Sequence, residues 1–416
     1  MQRSRLLIVL FVILASVIIV SILAFASFLP KLVSNGENLQ VVWQQFLPGI
    51  NGKKIIQTSN GGYLALGTTA DISNNSPSAP TFVNEQPILI KTDNLGNVQW
   101  QKTFQVLGLT PNLNNIAQTR DGGYAVVGGI TNASAAYDNP FSRFCLIKLD
   151  YKGNVNWTQT YTGPSDANND VFNTILESSD GGYTLFGTWS RYWDYHGLRS
   201  GYLVKTDEDG NAHFSKVVDA GPASSMVQIS DGYIFFTSRQ ALGGGTRFML
   251  VKTDFNGTVI WSNDYQGNAT SAYETSGIPT SDGGYLLGGS LVSPDKGWLV
   301  KTDAEGRMVW NKTYEEVTTI NSVTQTSDGG FMVSGGITTM NPENVAQSNG
   351  RAWIAKTDGS GNIEGHITIG QTATFHYTYP YSVLQTSDGG YMCAGTWDQT
   401  IQASSSQRFW IAKISS

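Results

Sequence analysis

Two aromatic segments and one aromatic–acid pair hold the residues of this chain best suited to binding chemistry. The first segment runs from Trp189 to Arg199, the second from Phe375 to Tyr381, and the pair is Trp397 with Asp398. Exposed aromatic rings beside Asp and Arg stack on sugar rings or anchor a protein partner, so these segments predict a ligand surface. The alternative is that long loops fold back and bury their own aromatic side chains. The candidate binding residues are Trp189, Tyr192, Trp193, Asp194, Tyr195, Arg199, Tyr377, Tyr379, Trp397 and Asp398.

Catalytic and metal chemistry have weaker support in the sequence. Asp138, Asp194 and Asp398 would serve a glycan hydrolase or lyase if two of them converged in a pocket with a raised pKa. The acid-rich turn 207–211 lacks a terminal bidentate Glu, and Ca²⁺ takes about 6–8 oxygen ligands. The four histidines show no metal-ligand spacing. We therefore expect no catalytic residue, no metal site and no cofactor.

The composition excludes several classes of protein. Of 416 residues, 14% are charged and 46 are Gly, and the net charge is −6. Few charges and abundant Gly disfavour a helical bundle, a coiled coil and a charged disordered chain. The net negative charge indicates no positively charged surface that would bind nucleic acid. Two cysteines, Cys145 and Cys393, exclude a disulfide scaffold and predict buried free thiols.

An internal repeat defines the elements that must position these residues. A Gly-aromatic turn, usually Asp-Gly-Gly-Tyr, occurs seven times, and a Lys-Thr-Asp triplet or a variant follows it in each unit. The repeated lysines predict either a ring of cations lining a channel or side chains that pack their stems and pair with a nearby Asp. Their recurrence in every unit favours the second interpretation. These lysines are Lys91, Lys148, Lys205, Lys252, Lys301, Lys356 and Lys413.

Each unit has the pattern of four short strands separated by Gly-rich turns. In the first unit, the predicted strands are Lys54–Ser59, Tyr63–Thr68, Pro87–Asp93 and Asn97–Phe104. Asp-Gly-Gly suits a tight hairpin because Gly accepts positive φ, and the later Asp-x-x-Gly-Asn turn lets Asp cap local N–H groups. The Trp after that turn is predicted to wedge between blades. Units of 46–61 residues predict an all-β, seven-bladed β-propeller of four-stranded blades.

The two ends of the repeat region predict how the ring closes. The seventh unit stops after its third strand, 408–415, and an orphan strand, 40–46, precedes the first unit. Pairing the two would complete the last blade and remove an open sheet edge. The tight turns would then share one face of the ring. The variable loops and blade crossings would share the other face, where we expect the ligand surface.

The N-terminus predicts a membrane anchor. Arg3 and Arg5 precede an uncharged run of 24 residues from Leu6 to Leu29, longer than the ~20 residues that span a bilayer. The positive-inside rule keeps the N-terminus in the cytoplasm and the rest outside, although cleavage after this segment stays open. The predicted domains are a transmembrane signal-anchor, 1–29, a stalk linker, 30–39, and a propeller, 40–416.

The repeats resemble the DGGY/KTD-type propeller repeats of archaeal and bacterial surface proteins. They are more distantly similar to quinoprotein-like propellers, whose blades carry an Asp-x-x-x-Gly-x-x-x-Trp docking motif. Here Asp93, Gly96 and Trp100 form a version one residue shorter. The resemblance covers about residues 40–416 and implies the architecture. It is weak evidence for a quinone site, because the vicinal disulfide found in many such enzymes has no counterpart among two separated cysteines.

These observations predict a non-catalytic binding module. The expected protein is a single-pass membrane protein with its propeller on the extracellular side and a cell-surface glycan or protein as its partner. Nucleic acid is not an expected partner. A quinoprotein-like dehydrogenase, or a glycan-acting hydrolase or lyase, is the alternative, because propellers host many activities.

Overall fold

The computed structural model describes residues 32–34, 39–73, 81–132, 141–164, 170–190, 199–240, 244–267, 269–339, 349–370, 376–401 and 404–415. All regular elements in these residues are β-strands. They form a β-propeller whose blades are four-stranded antiparallel sheets. The predicted anchor, 1–29, lies outside the described residues. Where the chain is described, we find no helix with the length and apolar character needed to cross a bilayer.

Five blades are separate four-stranded sheets in which the strands pair in chain order. The innermost strand of each blade comes first in the chain and the outermost comes last. The strands are β3 Asn51–Gln57, β4 Tyr63–Ser73, β5 Thr81–Thr92 and β6 Val98–Thr103; β7 Pro111–Gln118, β8 Tyr124–Asn132, β9 Phe141–Leu149 and β10 Val155–Tyr161; β11 Val171–Glu177, β12 Tyr183–Ser190, β13 Arg199–Thr206 and β14 Ala212–Val218; β15 Ala223–Ile229, β16 Gly232–Gln240, β17 Thr246–Thr253 and β18 Val259–Tyr265; β19 Ser271–Pro279, β20 Tyr285–Val292, β21 Lys296–Thr302 and β22 Met308–Tyr314.

The other nine strands form one sheet. Five separate blades are therefore present where the sequence predicted seven. The reason is a single parallel bridge between Gly350 and Tyr377, which joins two groups of antiparallel strands into one sheet. The nine strands are β1 Leu32–Ser34, β2 Gln40–Leu47, β23 Thr319–Gln325, β24 Phe331–Thr339, β25 Asn349–Thr357, β26 Ile363–Ile369, β27 His376–Gln385, β28 Tyr391–Ile401 and β29 Ser404–Ser415.

The predicted pairing of the chain ends is confirmed. β2 pairs antiparallel with β29 from Gln40 opposite Ser415 to Leu47 opposite Phe409. The indole Nε1 of Trp410 also donates a hydrogen bond to the side-chain oxygen of Gln44 at 3.2 Å. The segment expected to be a stalk contributes β1, which pairs with the outer strand β26 through residues 32–34 and 367–369.

The turns have the chemistry that the sequence predicted. The Asp93 carboxylate accepts hydrogen bonds from the N–H groups of Leu95 and Asn97 at 2.9 and 2.8 Å, which caps the turn. Gly96 has φ +84°, and a Cβ built on it would lie 2.8 Å from the Trp43 ring. The predicted Trp wedges are confirmed. Each packs against a buried hydrophobic cluster between two neighbouring groups of strands; the residues are Trp43, Trp100, Trp157, Trp261 and Trp310.

The repeated lysines mostly follow the pairing interpretation. Five of them form ion pairs with the Asp of the Asp-Gly turn in the same unit. Lys91 has Asn60 at that position and instead donates to the carbonyls of Gly61 and Thr92, each at 2.8 Å. Lys205 lies over the rings of Tyr233 and Phe255. The free thiols of Cys145 and Cys393 are buried, as predicted.

Candidate functional site

The candidate site is a cavity on the axis of the ring, with a volume of about 610 Å³. Its wall is built from the strands β3, β7, β11, β15 and β19 of the five separate blades and from β23 and β27 of the nine-stranded sheet. The volume lies within the roughly 300–1,000 Å³ of pockets that bind small molecules. The lining includes Gln57 and Gln385, which directly precede the tight turns. The cavity therefore extends toward the tight-turn face, not toward the loop face where the ligand surface was expected.

A bulge in every strand of the wall presents polar side chains at one level. The pairing register shifts between Gly52 and Lys54 in β3, and an equivalent shift occurs in each of the other lining strands. A bulge places an extra residue on one strand and re-aims its side chain. The bulge pairs that line the cavity are mainly amides and hydroxyls: Asn114 and Asn115, Asn173, Ser224 and Ser225, Thr275 and Ser276, Asn321 and Ser322.

These polar side chains join each lining strand to the next. At six of the seven junctions a side-chain amide or hydroxyl bonds to a backbone group of the neighbouring strand, and at the junction of β3 with β7 the Lys53 ammonium bonds to the Asn112 side chain. The strands are therefore tied together without a shared sheet. The bonds are Lys53 Nζ to the Asn112 side-chain oxygen, 2.7 Å; Asn115 Nδ2 to the Asn173 carbonyl, 2.8 Å; Asn173 Nδ2 to the Ala223 carbonyl, 3.1 Å; Ser225 Oγ to the Gly277 carbonyl, 2.9 Å; Val323 N to Ser276 Oγ, 3.2 Å; Asn321 Nδ2 to the Pro380 carbonyl, 2.9 Å; and Ile55 N to Ser382 Oγ, 3.4 Å.

Two lining residues depart from the amide and hydroxyl pattern. Lys54 on β3 brings a positive charge, and Tyr381 on β27 brings an aromatic ring that is 41% exposed. Burial lowers the pKa of Lys54. Of the described residues that line the cavity, none is acidic and Lys54 alone is basic. The repeated lysines are absent from this lining.

Tyr381 is one end of a tyrosine ladder on β27. The rings of Tyr377 and Tyr379 stack with centroids 6.0 Å apart, and those of Tyr379 and Tyr381 lie 6.5 Å apart. Tyr379 packs over Gly350 and Gly336 of the neighbouring strands, where added Cβ atoms would approach its side chain to 2.6 and 2.9 Å. The ladder leads from the loop end of β27 into the cavity. Both predicted tyrosines are thus half-buried members of a built surface.

The other predicted binding residues are distributed differently. Trp189 and Trp397 are 6% and 3% exposed, so their expected role as exposed stacking platforms is wrong. Each packs in a hydrophobic cluster, which agrees with the alternative that these segments bury their own aromatic side chains. Asp398 is half-buried and accepts a hydrogen bond from Gln407 Nε2 at 3.3 Å. Arg199 begins β13, but its side chain lies outside the described part, as do Tyr192, Trp193, Asp194, Tyr195 and Asp138.

A buried carboxylate near Trp189 was not found by sequence reasoning. Asp170 is 2% exposed, and burial raises its pKa to about 7, opposed by the backbone N–H of Gly163. A Cβ added to Gly163 would lie 2.6 Å from the Trp189 ring and 3.1 Å from an Asp170 carboxylate oxygen. A pKa near neutrality suits a general acid, but this group has almost no surface for a substrate to reach. In the described ranges, no cluster of three or more His, Cys, Asp or Glu residues could hold a metal ion.

Neither a family model nor a curated protein matches this chain. Solved structures show low similarity. A protein of unknown function from Dyadobacter fermentans has 9% identity and a TM-score of 0.48, with 91% of this chain and 99% of that chain covered. A protein of unknown function from Bacteroides caccae has 10% identity and a TM-score of 0.39, with 72% and 93% covered. A mutant of Synechocystis apocarotenoid oxygenase has 13% identity and a TM-score of 0.42, with 84% and 74% covered. These scores are too low to support an argument about function.

Proposed function

We propose that this protein is a membrane-anchored, non-catalytic binding propeller that holds a cell-surface glycan or protein on the extracellular side. The observation that carries the binding role is the wall of the axial cavity. It combines amides, hydroxyls, the Tyr381 ring and the Lys54 ammonium, without an acidic side chain among the described lining residues. Amides and hydroxyls pair with sugar hydroxyls, and an aromatic ring stacks on a sugar face. A glycan is therefore the ligand that this chemistry favours.

The proposal includes a ring of seven wedges. The nine-stranded sheet contains the antiparallel groups β23-β24-β25-β26 and β27-β28-β29-β2, each with the strand order of a blade. β23 and β27 also line the cavity beside the inner strands of the five separate blades. Counting these two groups as blades gives five plus two, or seven. The similarity to DGGY/KTD-type surface propellers remains part of the same proposal.

The membrane side of the proposal rests on the sequence. Arg3 and Arg5 lie before the uncharged run 6–29, and this order favours a cytoplasmic N-terminus with the propeller outside. The prediction is tested by adding a protease to intact cells that carry an epitope after Ser416. Loss of the epitope without cell lysis supports the orientation, and protection until lysis contradicts it.

The binding role is tested on a glycan array with the full-length protein in detergent. We expect Tyr381→Ala to lose most of the array signal. Tyr151→Ala is the matched control, because Tyr151 is 57% exposed in the turn between β9 and β10, away from the cavity lining. Equal signals from the wild type and Tyr381→Ala would remove the cavity from the proposal. An array without any signal would contradict the proposal that the ligand is a glycan.

A further inference from the structure

The cavity wall is asymmetric at one junction. Five of its strands present Asn, Ser or Thr at or directly after the bulge, whereas β3 presents Lys54 directly after its bulge and β27 presents Tyr381 within its bulge. These two strands are neighbours, since the Ile55 N–H bonds to Ser382 Oγ at 3.4 Å. Lys54 directly precedes Ile55 and Tyr381 directly precedes Ser382, so both lie beside this bond on the cavity wall. A residue with a purely structural role recurs at the same position in every unit, whereas a ligand-binding residue differs from its counterparts in the other units.

Lys54 differs from the other inner-strand lysine. The Lys53 ammonium donates to the Asn112 side-chain oxygen at 2.7 Å and to the Leu113 carbonyl at 3.0 Å, and Lys53 does not line the cavity. Within the described part of the chain, the Lys54 ammonium has no hydrogen bond and no ion pair. The Lys54 side chain is half-buried, and an anion in the cavity would give its ammonium a charged partner that the described wall does not provide.

The rest of the wall limits the kind of anion. Lys54 carries one positive charge, and none of the described lining residues carries a negative one. A monoanionic carboxylate balances this charge, whereas a phosphate dianion would bring an unpaired negative charge into the cavity. The amides of Asn114 and Asn321 and the hydroxyls of Ser225 and Ser322 line the same space. These groups suit a ligand that carries several hydroxyls.

We propose that the axial cavity binds an acidic sugar, with the carboxylate of a uronic acid paired to Lys54 and the sugar ring against Tyr381. This inference rests on the proposed glycan-binding function and specifies its ligand class. The carboxylate accepts charge-assisted hydrogen bonds from the ammonium, which are stronger than bonds between neutral groups. The wall amides and hydroxyls bond to the sugar hydroxyls. A free uronic acid and the end of an acidic polysaccharide share this chemistry.

The test is calorimetric titration of the full-length protein in detergent with D-glucuronic acid and, separately, with D-glucose. We expect the acid to bind at least tenfold more tightly than the neutral sugar. Lys54→Met keeps the length of the side chain but removes the charge, and it should bring the two affinities together. Lys54→Arg keeps the charge and should retain the preference. Lys102→Met, on the outer strand β6 and outside the cavity lining, is the control and should behave as wild type toward both sugars. A thermal melt of each variant identifies any that fail to fold, and Lys54→Arg then carries the test.

The outcomes separate this inference from the proposed function. If the wild type binds D-glucose as tightly as D-glucuronic acid, or if Lys54→Met retains the preference, the acidic-sugar inference is wrong and the glycan-binding function stands. If neither sugar binds and the glycan array is also blank, both are wrong. A titration with oligogalacturonate distinguishes the sources, since tighter binding than to the monosaccharide identifies a polysaccharide end. Tighter binding of inorganic phosphate than of D-glucuronic acid would overturn the assignment to a carboxylate.

Discussion

Gln57 and Ser387 bond to each other in both directions across 330 residues of sequence. Gln57 Nε2 donates to Ser387 Oγ at 3.0 Å, and the Ser387 N–H donates to the Gln57 side-chain oxygen at 2.9 Å. The same reciprocal pair joins Gln118 to Ser59 inside the repeat region, with distances of 2.9 and 2.8 Å. The first and last units therefore meet through the contact that joins consecutive units. This contact closes the ring on its tight-turn face, in addition to the β2–β29 pairing.

Gln57→Ala is predicted to destabilise the protein by about 1–2 kcal/mol, because it removes two hydrogen bonds and leaves the Ser387 N–H without this partner. Gln118→Ala should cost a similar amount at an internal junction. Gln101→Ala, an exposed residue on the outer strand β6, is the control and should be neutral. Chemical denaturation measures all three. A Gln57→Ala midpoint equal to that of Gln101→Ala would show that the closing contact contributes nothing.

Gly96→Ala is predicted to be more damaging than a substitution at an equivalent turn glycine without a neighbour. Both Gly96 and Gly122 have positive φ, +84° and +80°, so Ala is strained at either site. A Cβ at Gly96 would also meet the Trp43 ring at 2.8 Å, whereas nothing lies within 4 Å of one at Gly122. We expect Gly96→Ala to cost about 1–3 kcal/mol more than Gly122→Ala. Equal denaturation midpoints for the two variants would contradict the close packing of the Trp43 ring against Gly96.

Acid is predicted to weaken the Lys–Asp pairs of the tight turns. The hydrogen bond from Lys413 lowers the pKa of Asp388 to about 2, below the ordinary value of 3.8. A lowered carboxyl pKa stabilises the fold above the ordinary pKa, and this contribution is lost as pH falls from about 4 to about 2. The Asp388 side chain is 64% exposed, so the contribution is under about 1 kcal/mol.

Asp388→Asn should therefore flatten the acid limb of the stability curve, measured as denaturation midpoint against pH. Asp180→Asn is the matched control, because it stands at the same turn position while Lys205 of its unit lies over aromatic rings. If Asp388→Asn and Asp180→Asn change the acid limb equally, the Lys413 pair is not its cause.

Asp170 is predicted to give the opposite pH dependence. Burial raises its pKa to about 7, so the folded state holds the proton more tightly than the unfolded state does. Stability then falls as pH rises from about 4 to about 7 and is level above that range. A shift of this size corresponds to at most roughly 4 kcal/mol.

Asp170→Asn keeps the shape of the side chain without the charge, and it should be more stable than wild type at pH 8 but not at pH 4. Asp209→Asn, at an exposed turn residue, is the control and should leave the curve unchanged. Thermal melts at the two pH values measure the difference. An Asp170→Asn variant that is less stable than wild type at pH 8 would show that the carboxylate is ionised and satisfied in the fold.

Much of the architecture could be predicted from the sequence because it depends on short-range chemistry. Asp93 and Gly96 lie in one turn, and the capping bonds and positive φ found there follow from the residue types. The closing strand β2 could be predicted because Trp43 matches Trp100 in the repeat. The number of separate sheets could not be predicted from the sequence, because the bridge between Gly350 and Tyr377 depends on how closely two groups of strands approach each other.

The binding residues were harder to predict because exposure depends on contacts with distant segments. Trp189 and Trp397 stand in variable parts of the repeat, yet they pack in clusters contributed by several strands. The cavity wall had a signal in the sequence that was not used. Asn, Ser or Thr recurs in the middle of most first strands, and Lys54 and Tyr381 interrupt that pattern.

The sequence by itself determined the repeat, the four-stranded units, their turns and the strand that completes the last unit. Hydrophobic spacing and glycine chemistry act between residues close in the chain, so they can be recognised without coordinates. Only the tertiary structure decided that Lys54 and Tyr381 share a wall and that two expected aromatic platforms are core residues. The physical reason is that a bulge sets the direction of each inner side chain, while ring closure brings together strands more than 300 residues apart.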